Sequence, residues 1–528
     1  MYYVIGSGPA GIAAAAALIS AGSEVTLLDV GIELDEEREV RRQRMATRDA
    51  SEWTEEEISS SRAHLEINGE LEAKLCHGSD HAYKPAPSAT RIDYGSLAVR
   101  SSAAKGGLSN VWGAALLPFH QNDTLDWPIT MSDLSDSYRA VLQLIPVAGM
   151  QDDLRRLFPL YTERLHRPRI SAQAESLLAD LTRNRAELSR CGVTFGSARL
   201  AVRFSGASPS DSCNFCGHCM HGCPRDLIYS SRHTLSELLA SGKLKYVPKV
   251  VAQMISEQGS RVTVMASVNG CPVQFSGERV FIGAGVFNST AILLRSLGWH
   301  DRPVQISDSQ YFVFPLLRVR ASSHVDKERL HTLAQVFLEI LAPAISPYLV
   351  HLQIYGFNDL LADLVKLRLK ALWKFFPRDA LLGRLLVVQG FLHSGHSGHI
   401  TATLRRSAEG SVLRLEPVES SDARDRVGRV IQHMRRLSKS TRAVPLASAL
   451  RIMQPGRSFH CGGSFPMSRS PHDGQTDILG RPFGLNRTHV IDATVFPSIP
   501  ATTITQTVMA NAYRIASQSV GLDQFHQV

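Results

Sequence analysis

Apolar positions are continuous at the start of this 528-residue chain. Tyr2 to Ile5 is a β-branched and aromatic run with no polar interruption, the pattern of a buried strand. Gly6, Gly8 and Gly11 follow at once, and Ile12 to Ala21 is an alanine-rich stretch of high helix propensity. Glu24 to Leu28 predicts a second strand that ends in Asp29. From Glu33 to Glu72 the pattern turns polar. Glu36, Glu37, Glu39, Arg41, Arg42 and Arg44 predict an exposed helix with ion pairs at helical spacing. Thr54 with Glu57 predicts a capping box that opens the next helix. The pattern assigns this region no chemistry.

Further along, Lys105 to Phe119 (KGGLSNVWGAALLPF) is a backbone-rich loop. Met131 to Leu144 predicts a helix that stops before Pro146, and Ser171 to Leu188 predicts another. Lys245 to Ser267 alternates apolar and polar residues and predicts a hairpin. Arg279 to Gly285 (RVFIGAG) is a buried strand ending in glycines, with a helix behind it through Leu294. Residues 303–355 predict a mixture of strands and a helix. Asn358 can cap a helix that runs to Phe376 and stops at Pro377. Gln389 to Leu404 and Ser411 to Pro417 predict paired strands, and Asp422 to Ser438 a basic helix. Beyond Arg457 come glycines, then Val490 to Phe496, then a last helix from Thr505 to Val520.

The opening order of strand, GxGxxG, helix, strand and acid is the arrangement that binds a dinucleotide. Gly6 permits the tight turn, Gly8 lets a pyrophosphate approach the backbone, and Gly11 lets the helix pack on the strand. The helix N-terminus offers free N–H groups to the phosphates. Asp29, about 20 residues on, can accept bonds from a ribose hydroxyl. FAD and NAD are not separated by this stretch. In the second loop, Gly106 and Gly107, followed by Ser109, Asn110 and Gly113, can approach a planar cofactor closely.

Composition is that of a folded soluble protein, with 44% hydrophobic and 20% charged residues. The net charge of +8 favours acidic partners, but no nucleic-acid motif accompanies it. No apolar run of 18 residues exists, so no single helix is expected to span a membrane. No secretory signal peptide is expected, because no basic residue precedes the apolar start and glycines interrupt it. Four of the eight cysteines crowd into one stretch, which is not a secreted disulfide framework. A reducing, cytoplasmic compartment follows as the expectation.

Four separated blocks resemble the glucose–methanol–choline (GMC) oxidoreductases, FAD enzymes that oxidise alcohols and sugars. They are GSGPAG at Gly6, GGLSNVWGA at Gly106, FHCGGSFPM at Phe459, and VIDATVFPSIPATTITQTVMANAYRIA from Val490; FIGAG at Phe281 agrees. The resemblance implies an α/β fold with a Rossmann-like FAD-binding domain built from discontinuous segments and an inserted α+β substrate-binding domain. The expected division places FAD-binding segments at 1–130, 224–305 and 456–528, and substrate-domain segments at 131–223 and 306–455. It implies FAD roles for Gly6, Gly8, Gly11, Asp29, Gly106, Gly107 and Gly285, and flavin contact for Ser109 and Asn110. It places Val251 near the adenine and Asp492 near the ribityl and pyrophosphate. His460, opening HxxGxxxM, takes the place of the catalytic base. The family pairs it with a second His or Asn, where aligning MANAYRIA puts Thr503, a departure from the pattern. A threonine hydroxyl can orient a substrate oxygen but is no second base.

Cys213, Cys216, Cys219 and Cys223, followed by Pro224, spell C-x2-C-x2-C-x3-C-P, the ferredoxin spacing for an iron–sulfur cluster. Thiolates suit such clusters, and zinc is the alternative, although structural zinc more often pairs two separated CxxC units. Some bacterial sugar dehydrogenases of the resembled family hold a three-iron cluster on C-x5-C-x3-C, which Cys213, Cys219 and Cys223 also fit. A 3Fe–4S and a 4Fe–4S cluster both remain open. His218 and His221 lie inside this loop and are expected to be exposed or to back the ligands.

His393, His396 and His399 (HSGHSGH) invite a metal reading, but glycine separators favour a turn in the substrate domain. The helix expected from Asp359 to Phe376 is amphipathic, with acids early and bases late. It reads as a core helix, with a peripheral helix on anionic lipid at the inner face of the membrane as the alternative. The expected activity is a dehydrogenase acting on a CH–OH group of a sugar or alcohol. Its electrons leave through the cluster to a quinone, a cytochrome or another redox protein. An oxidase with structural cysteines, and a flavin protein that binds a membrane-linked substrate without net oxidation, are the alternatives.

Overall fold

The computed structural model describes residues 1–62, 65–67, 70–86, 90–360, 362–363, 366, 378–408 and 410–525. One five-stranded sheet is entirely parallel, in the order Thr488–Val490, Arg279–Ile282, Tyr2–Ile5, Val25–Leu28, Leu244–Val247. Its strands come from both ends and the middle of the chain. The four residues Tyr2–Ile5 are all buried between neighbours, which is why they read as an uninterrupted apolar run. The helix Pro9–Ser20 is buried around most of its girth, and its alanines let the last helix, Thr505–Phe525, pack closely on it. This is the parallel-sheet half of the expected α/β fold, assembled from discontinuous segments.

Two further sheets build the other half. A seven-stranded sheet runs Ala443–Pro445, Gln310–Arg318, Leu385–Leu392, Val350–Tyr355, Val336–Ile340, Val193–Ser197, with Arg451–Ile452 also paired to Gln310–Arg318. One face, with Phe312, Phe314, Leu338, Leu352 and Val388, forms a second core with the helices Ala172–Arg183 and Ser421–Arg436. The opposite face, with Phe337 and Tyr355, packs into the core shared with the parallel sheet. A five-stranded sheet (Cys461–Gly462, Pro303–Asp308, His399–Ser407, Gly410–Val418, Arg91–Asp93) adjoins it.

Local readings hold where short-range chemistry decides them. Glu36–Ala46 is a helix with Arg41–Glu37 and Arg42–Glu39 pairs, and Thr54 and Glu57 form the capping box. The expected hairpin Lys245–Ser267 is different. Lys245 lies in the parallel strand Leu244–Val247, which Pro248 and the left-handed Lys249 (φ 63°) terminate, and a three-stranded meander runs from Val250 to Gly277. The helix expected over Ser171–Leu188 breaks at Asn184 into Ala172–Arg183 and Arg185–Arg190. Among the described residues of 303–355 no helix forms. The apolar run through Val336–Ile340 is a central strand, and a buried strand and a buried helix share that pattern. Val490–Phe496 is a strand end at Val490 followed by a single turn, Ala493–Val495. The helix expected from Asp359 to Phe376 lies largely outside the described residues. Among those described, no helix is long and apolar enough to cross a membrane.

Candidate active site

The first helix opens at Gly8, and no side chain among the described residues caps it, so first-turn N–H groups are left for a ligand. A Cβ added at Gly8 would meet none of the described atoms within 4 Å. The glycine loop lies against this opening: a Cβ at Gly107 would stand 3.3 Å from the Gly8 Cα. The side chains of Ser109 and Asn110 turn into that loop. Ser109 Oγ donates to Gly106 O and accepts from Ser231 N at 2.9 Å. Asn110 Nδ2 donates to the carbonyls of Lys105 and Gly107 at 2.9 and 2.8 Å. These side chains hold the loop's shape and leave its backbone to face outward.

Asp29 is buried and accepts from Ser7 Oγ and from Tyr246 Oη at 3.1 Å. Burial pushes its carboxyl up to about 6 against the lowering effect of those bonds. Val250 N donates to Asp29 O at 2.9 Å, which sets the start of the strand that carries Val251 against the end of the Asp29 strand. Asp492 accepts from Gly285 N at 2.9 Å, from Ser289 Oγ, and from Thr494 N at 3.0 Å. Burial raises its pKa as well. The structure thus joins two expected site residues, Gly285 and Asp492, by a direct bond.

His460 follows the left-handed Phe459 (φ 58°). Its backbone is held by Ser458 Oγ, which accepts from His460 N at 2.8 Å, and by Ser309 N, which donates to His460 O at 3.2 Å. Asp308 stabilises this turn by accepting from Ser458 Oγ and Cys461 Sγ. The imidazole stacks on Phe391 with ring centroids 5.0 Å apart. Its Nδ1 is buried with no hydrogen-bond partner among the described residues. Burial, helped by His351, depresses the ring to about 3 and keeps it neutral. Thr503 is buried and its Oγ1 accepts from Leu117 N at 3.2 Å, so its bond goes to the chain beyond the glycine loop rather than to His460.

Phe391 belongs to a row that crosses the seven-stranded sheet. In register, Thr194 faces Glu339, Glu339 faces His351, His351 faces Phe391, and Phe391 faces Tyr311. Side chains two residues apart share a face, so His351, Gln353 and Tyr355 line the same side. They are bonded in series: His351 Nδ1 to Glu339 Oε1 at 2.8 Å, Gln353 Nε2 to His351 Nε2 at 3.1 Å, and Tyr355 Oη donating to Gln353 Oε1 at 2.9 Å. The series ends at the glycine loop, where a Cβ on Gly113 would stand 3.7 Å from Tyr355 Oη. The alternation of His351, Gln353 and Tyr355 with apolar residues along Val350–Tyr355 was the signal in the sequence for this wall.

His393 and His396 form the expected turn. His393 stacks on Tyr348 at 3.8 Å, accepts from Gly395 N at 3.0 Å and meets Asp123 O at 3.1 Å. His396 lies between Asp422 Oδ2 at 2.6 Å and Ser346 Oγ at 3.0 Å. Both rings are used internally.

Cys213, Cys216, Cys219 and Cys223 line one cavity of about 20 Å³, together with Met45, Trp53 and Leu227. Burial and the neighbouring thiols push Cys213 up to about 12, Cys216 to about 11 and Cys223 higher still. His218 and His221 are buried against this loop, which rules out the exposed placement and leaves them backing it. Among the described residues, no three His, Cys, Asp or Glu side chains stand close enough to share one metal ion. Trp53 and Met45 come from the polar region to which the sequence assigned no chemistry, and Arg42 Nη1 ties that region to Pro224 O at 2.6 Å. A lone tryptophan in a charged stretch was the available signal. Lys74, outside the loop, donates from Nζ to Trp112 O at 3.2 Å, and its charge acts on Cys76, Cys219 and Cys223.

Residues 395–512 match the GMC oxidoreductase family. No curated protein matches the chain. Among solved structures, pyridoxine 4-oxidase from Mesorbium loti aligns with a TM-score of 0.58 at 13% identity, covering 98% of each chain. A formate oxidase of Aspergillus oryzae, in a variant made to test FAD modification, aligns with a TM-score of 0.59 at 14% identity, covering 99% of this chain and 98% of the other.

Proposed function

We propose that this chain, a GMC oxidoreductase by its match over residues 395–512 and by its fold, is an FAD-dependent dehydrogenase of a CH–OH group in a sugar or related alcohol. The observation that supports it best is a neutral, half-buried imidazole, His460, standing on Phe391 at the edge of a polar wall. The residues at the dinucleotide site fit FAD. Gly8 leaves a cradle that a Cβ would enter, the helix N-terminus leaves its donors free, and the glycine loop presents backbone opposite them. FAD, when bound, supplies the acceptor for the two electrons and the hydrogen that leave the carbinol carbon. His460 takes the hydroxyl proton: burial keeps its ring unprotonated and ready to accept at physiological pH, at a cost in base strength. The Ser458 and Ser309 bonds to its backbone fix where the ring stands. Thr503 holds the chain at Leu117 and acts as a polar guide at most.

The cysteine loop is read as the holder of an iron–sulfur cluster, with Cys213, Cys219 and Cys223 as ligands and Cys216 as the fourth. An iron–sulfur cluster, when bound, supplies single-electron exit to a quinone, a cytochrome or another redox protein. The donor set fits: four thiols, all free of disulfides, line one cavity. Ligands of a cluster bind different iron atoms and stand farther apart than ligands of one ion, so the loop need not converge on a point. The cavity is nearer the size of a water than of an iron–sulfur cube, so seating a cluster requires the loop to spread. Protein prepared without oxygen is expected to yield iron and acid-labile sulfide. Cys219→Ser is expected to lose both, to keep FAD and its reduction by substrate, and to slow reoxidation by a quinone. Zinc in place of iron in such a preparation would sink the cluster.

A second reading, an oxidase, draws on the two aligned structures, both oxidases by name. Stopped-flow mixing with sugars under air and under argon separates the two. A dehydrogenase turns over only with an added acceptor, whereas an oxidase turns over with air alone. The proposed compartment is cytoplasmic.

A further inference from the structure

The cysteine loop turns one flank outward. Cys213, Asn214, Phe215, Cys216 and Gly217 are partly exposed, whereas His218 and Cys219 are buried. The guanidinium of Arg169 lies over the Phe215 ring, 5.5 Å from its centroid, and Phe215 stacks in turn on Phe204 at 6.0 Å. Arg203, just before Phe204, is exposed. His166 meets Ser205 Oγ at 3.1 Å, which brings the exposed Arg167 to the same rim. Arg225 closes the flank from the other side. Its Nη1 donates to the carbonyls of Pro209 and Ser212 at 2.6 and 2.9 Å, and it lines the cysteine cavity. Among the described residues, no carboxylate pairs with Arg167, Arg169, Arg203 or Arg225. The exposed acids of the same stretches are Glu163 and Asp211, and Asp226, next after Arg225, is taken by Arg232 and His233. Across Cys216, Arg329 is paired with Asp49. The outward flank of the loop is therefore a local concentration of unpaired positive charge.

We propose that this basic flank is the docking surface for an acidic one-electron carrier protein, whose carboxylates meet Arg167, Arg169 and Arg203 over the outward side of the cysteine loop. Guanidinium groups match carboxylates in charge and in planar geometry, and a positive patch steers an acidic partner to the place where it must dock. A membrane surface fits less well. An interfacial site adds inserted apolar side chains to its charge, and none of the large apolar residues exposed among the described residues lies between 160 and 230. For each alcohol oxidised, two carrier molecules are reduced by one electron each and two protons pass to solvent. This inference rests on the proposed reading of the cysteine loop as a cluster holder.

The test uses anaerobically prepared holoenzyme and two c-type cytochromes of similar potential, one acidic and one basic. Binding to the oxidised enzyme is measured by calorimetry, and reoxidation of the substrate-reduced enzyme by stopped-flow. The acidic cytochrome is expected to bind at least about tenfold tighter than the basic one at about 10 mM salt, and to lose that advantage by about 200 mM. Combining Arg167→Glu, Arg169→Glu and Arg203→Glu is expected to slow second-order reoxidation by the acidic cytochrome about 10–10³-fold and to weaken its binding. Flavin reduction by substrate and reoxidation by a neutral quinone are expected to hold. Where reversal at Arg169 disturbs Phe215, seen as loss of iron, Arg167→Glu with Arg203→Glu alone is expected to slow the reaction about tenfold. Wild-type binding and reoxidation with the acidic cytochrome in a variant that keeps its iron overturns the proposal, and so does a preference for the basic cytochrome. Salt-dependent binding to phosphatidylglycerol vesicles with no preference between the cytochromes also overturns it and makes the flank a membrane face. Protein that holds zinc or no metal, or whose flavin no alcohol reduces, fails the proposed function instead. The binding measurement needs no turnover and still decides the docking surface, so the two failures are told apart.

Discussion

His460→Ala is expected to slow flavin reduction by about 10²–10⁴-fold while FAD stays bound. The magnitude is that of removing a positioned general base. The ring stacks on Phe391, and its Nδ1 pairs with nothing among the described residues. Truncation therefore removes a proton acceptor without unpairing a neighbour. The proposed FAD cradle at Gly8, Gly107 and Asp492 is built elsewhere in the chain and should keep its cofactor. Thr503→Val should cost far less in rate, because that hydroxyl only accepts from Leu117 N. The pH profile gives a second check. Burial holds the folded imidazole at about 3, so its base form persists well below the ordinary histidine range. Reduction should stay on its plateau from pH 8 down to about 5, where a solvent-exposed histidine would already have titrated near 6.5. Asp308, pushed up to about 7, spends its bonds on Ser458 and Cys461 and touches no ring nitrogen of His460. A His460→Ala enzyme that reduces its flavin at the wild-type rate would falsify the assignment.

The parts of this site that could be read in advance are those where local chemistry decides the structure. Gly6, Gly8 and Gly11 work over one turn, so their spacing reveals the cradle without any knowledge of the rest. Cys213 to Cys223 likewise lie on one loop, and one cavity gathers them. Glu339 and His351 were hidden for the opposite reason. Glu339 sits in an apolar run that reads equally well as a strand or a helix, the alternation at His351 marks only its own strand, and only the pairing of Val336–Ile340 with Val350–Tyr355 puts them opposite each other. The same holds for the union of Thr488–Val490 with Arg279–Ile282, which no local pattern encodes. The Asp29 side chain shows a subtler limit. Its position at the strand end was legible and Ser7 lies in the neighbouring motif, but its engagement by Tyr246 depends on a strand more than 200 residues away.

Gly8→Leu should give a folded protein that cannot hold FAD. The three glycines of the motif are not equivalent in this structure, and the difference makes the test clean. A Cβ at Gly6 would lie 2.5 Å from Gly283 O, and one at Gly11 would lie 1.8 Å from Gly6 O. Both contacts are with backbone that cannot move aside, and Gly6 also has φ 95°, so alanine at either place should damage the fold itself. Gly8 has φ −65° and ψ 176°, which any L-residue adopts, and open space where its side chain would grow. The cost to the helix is only that of a poorer N-cap residue, on the order of 1 kcal/mol. What the leucine side chain does occupy is the space at the helix N-terminus where the pyrophosphate must come down on the backbone. Circular dichroism matching that of wild-type apoprotein, with no flavin absorbance and none regained on adding FAD, is the expected result. Comparison with apoprotein matters because losing a bound ligand lowers stability by itself. Full flavin occupancy in Gly8→Leu would mean that the dinucleotide does not cross the motif at Gly8, and the cradle would have to be placed elsewhere.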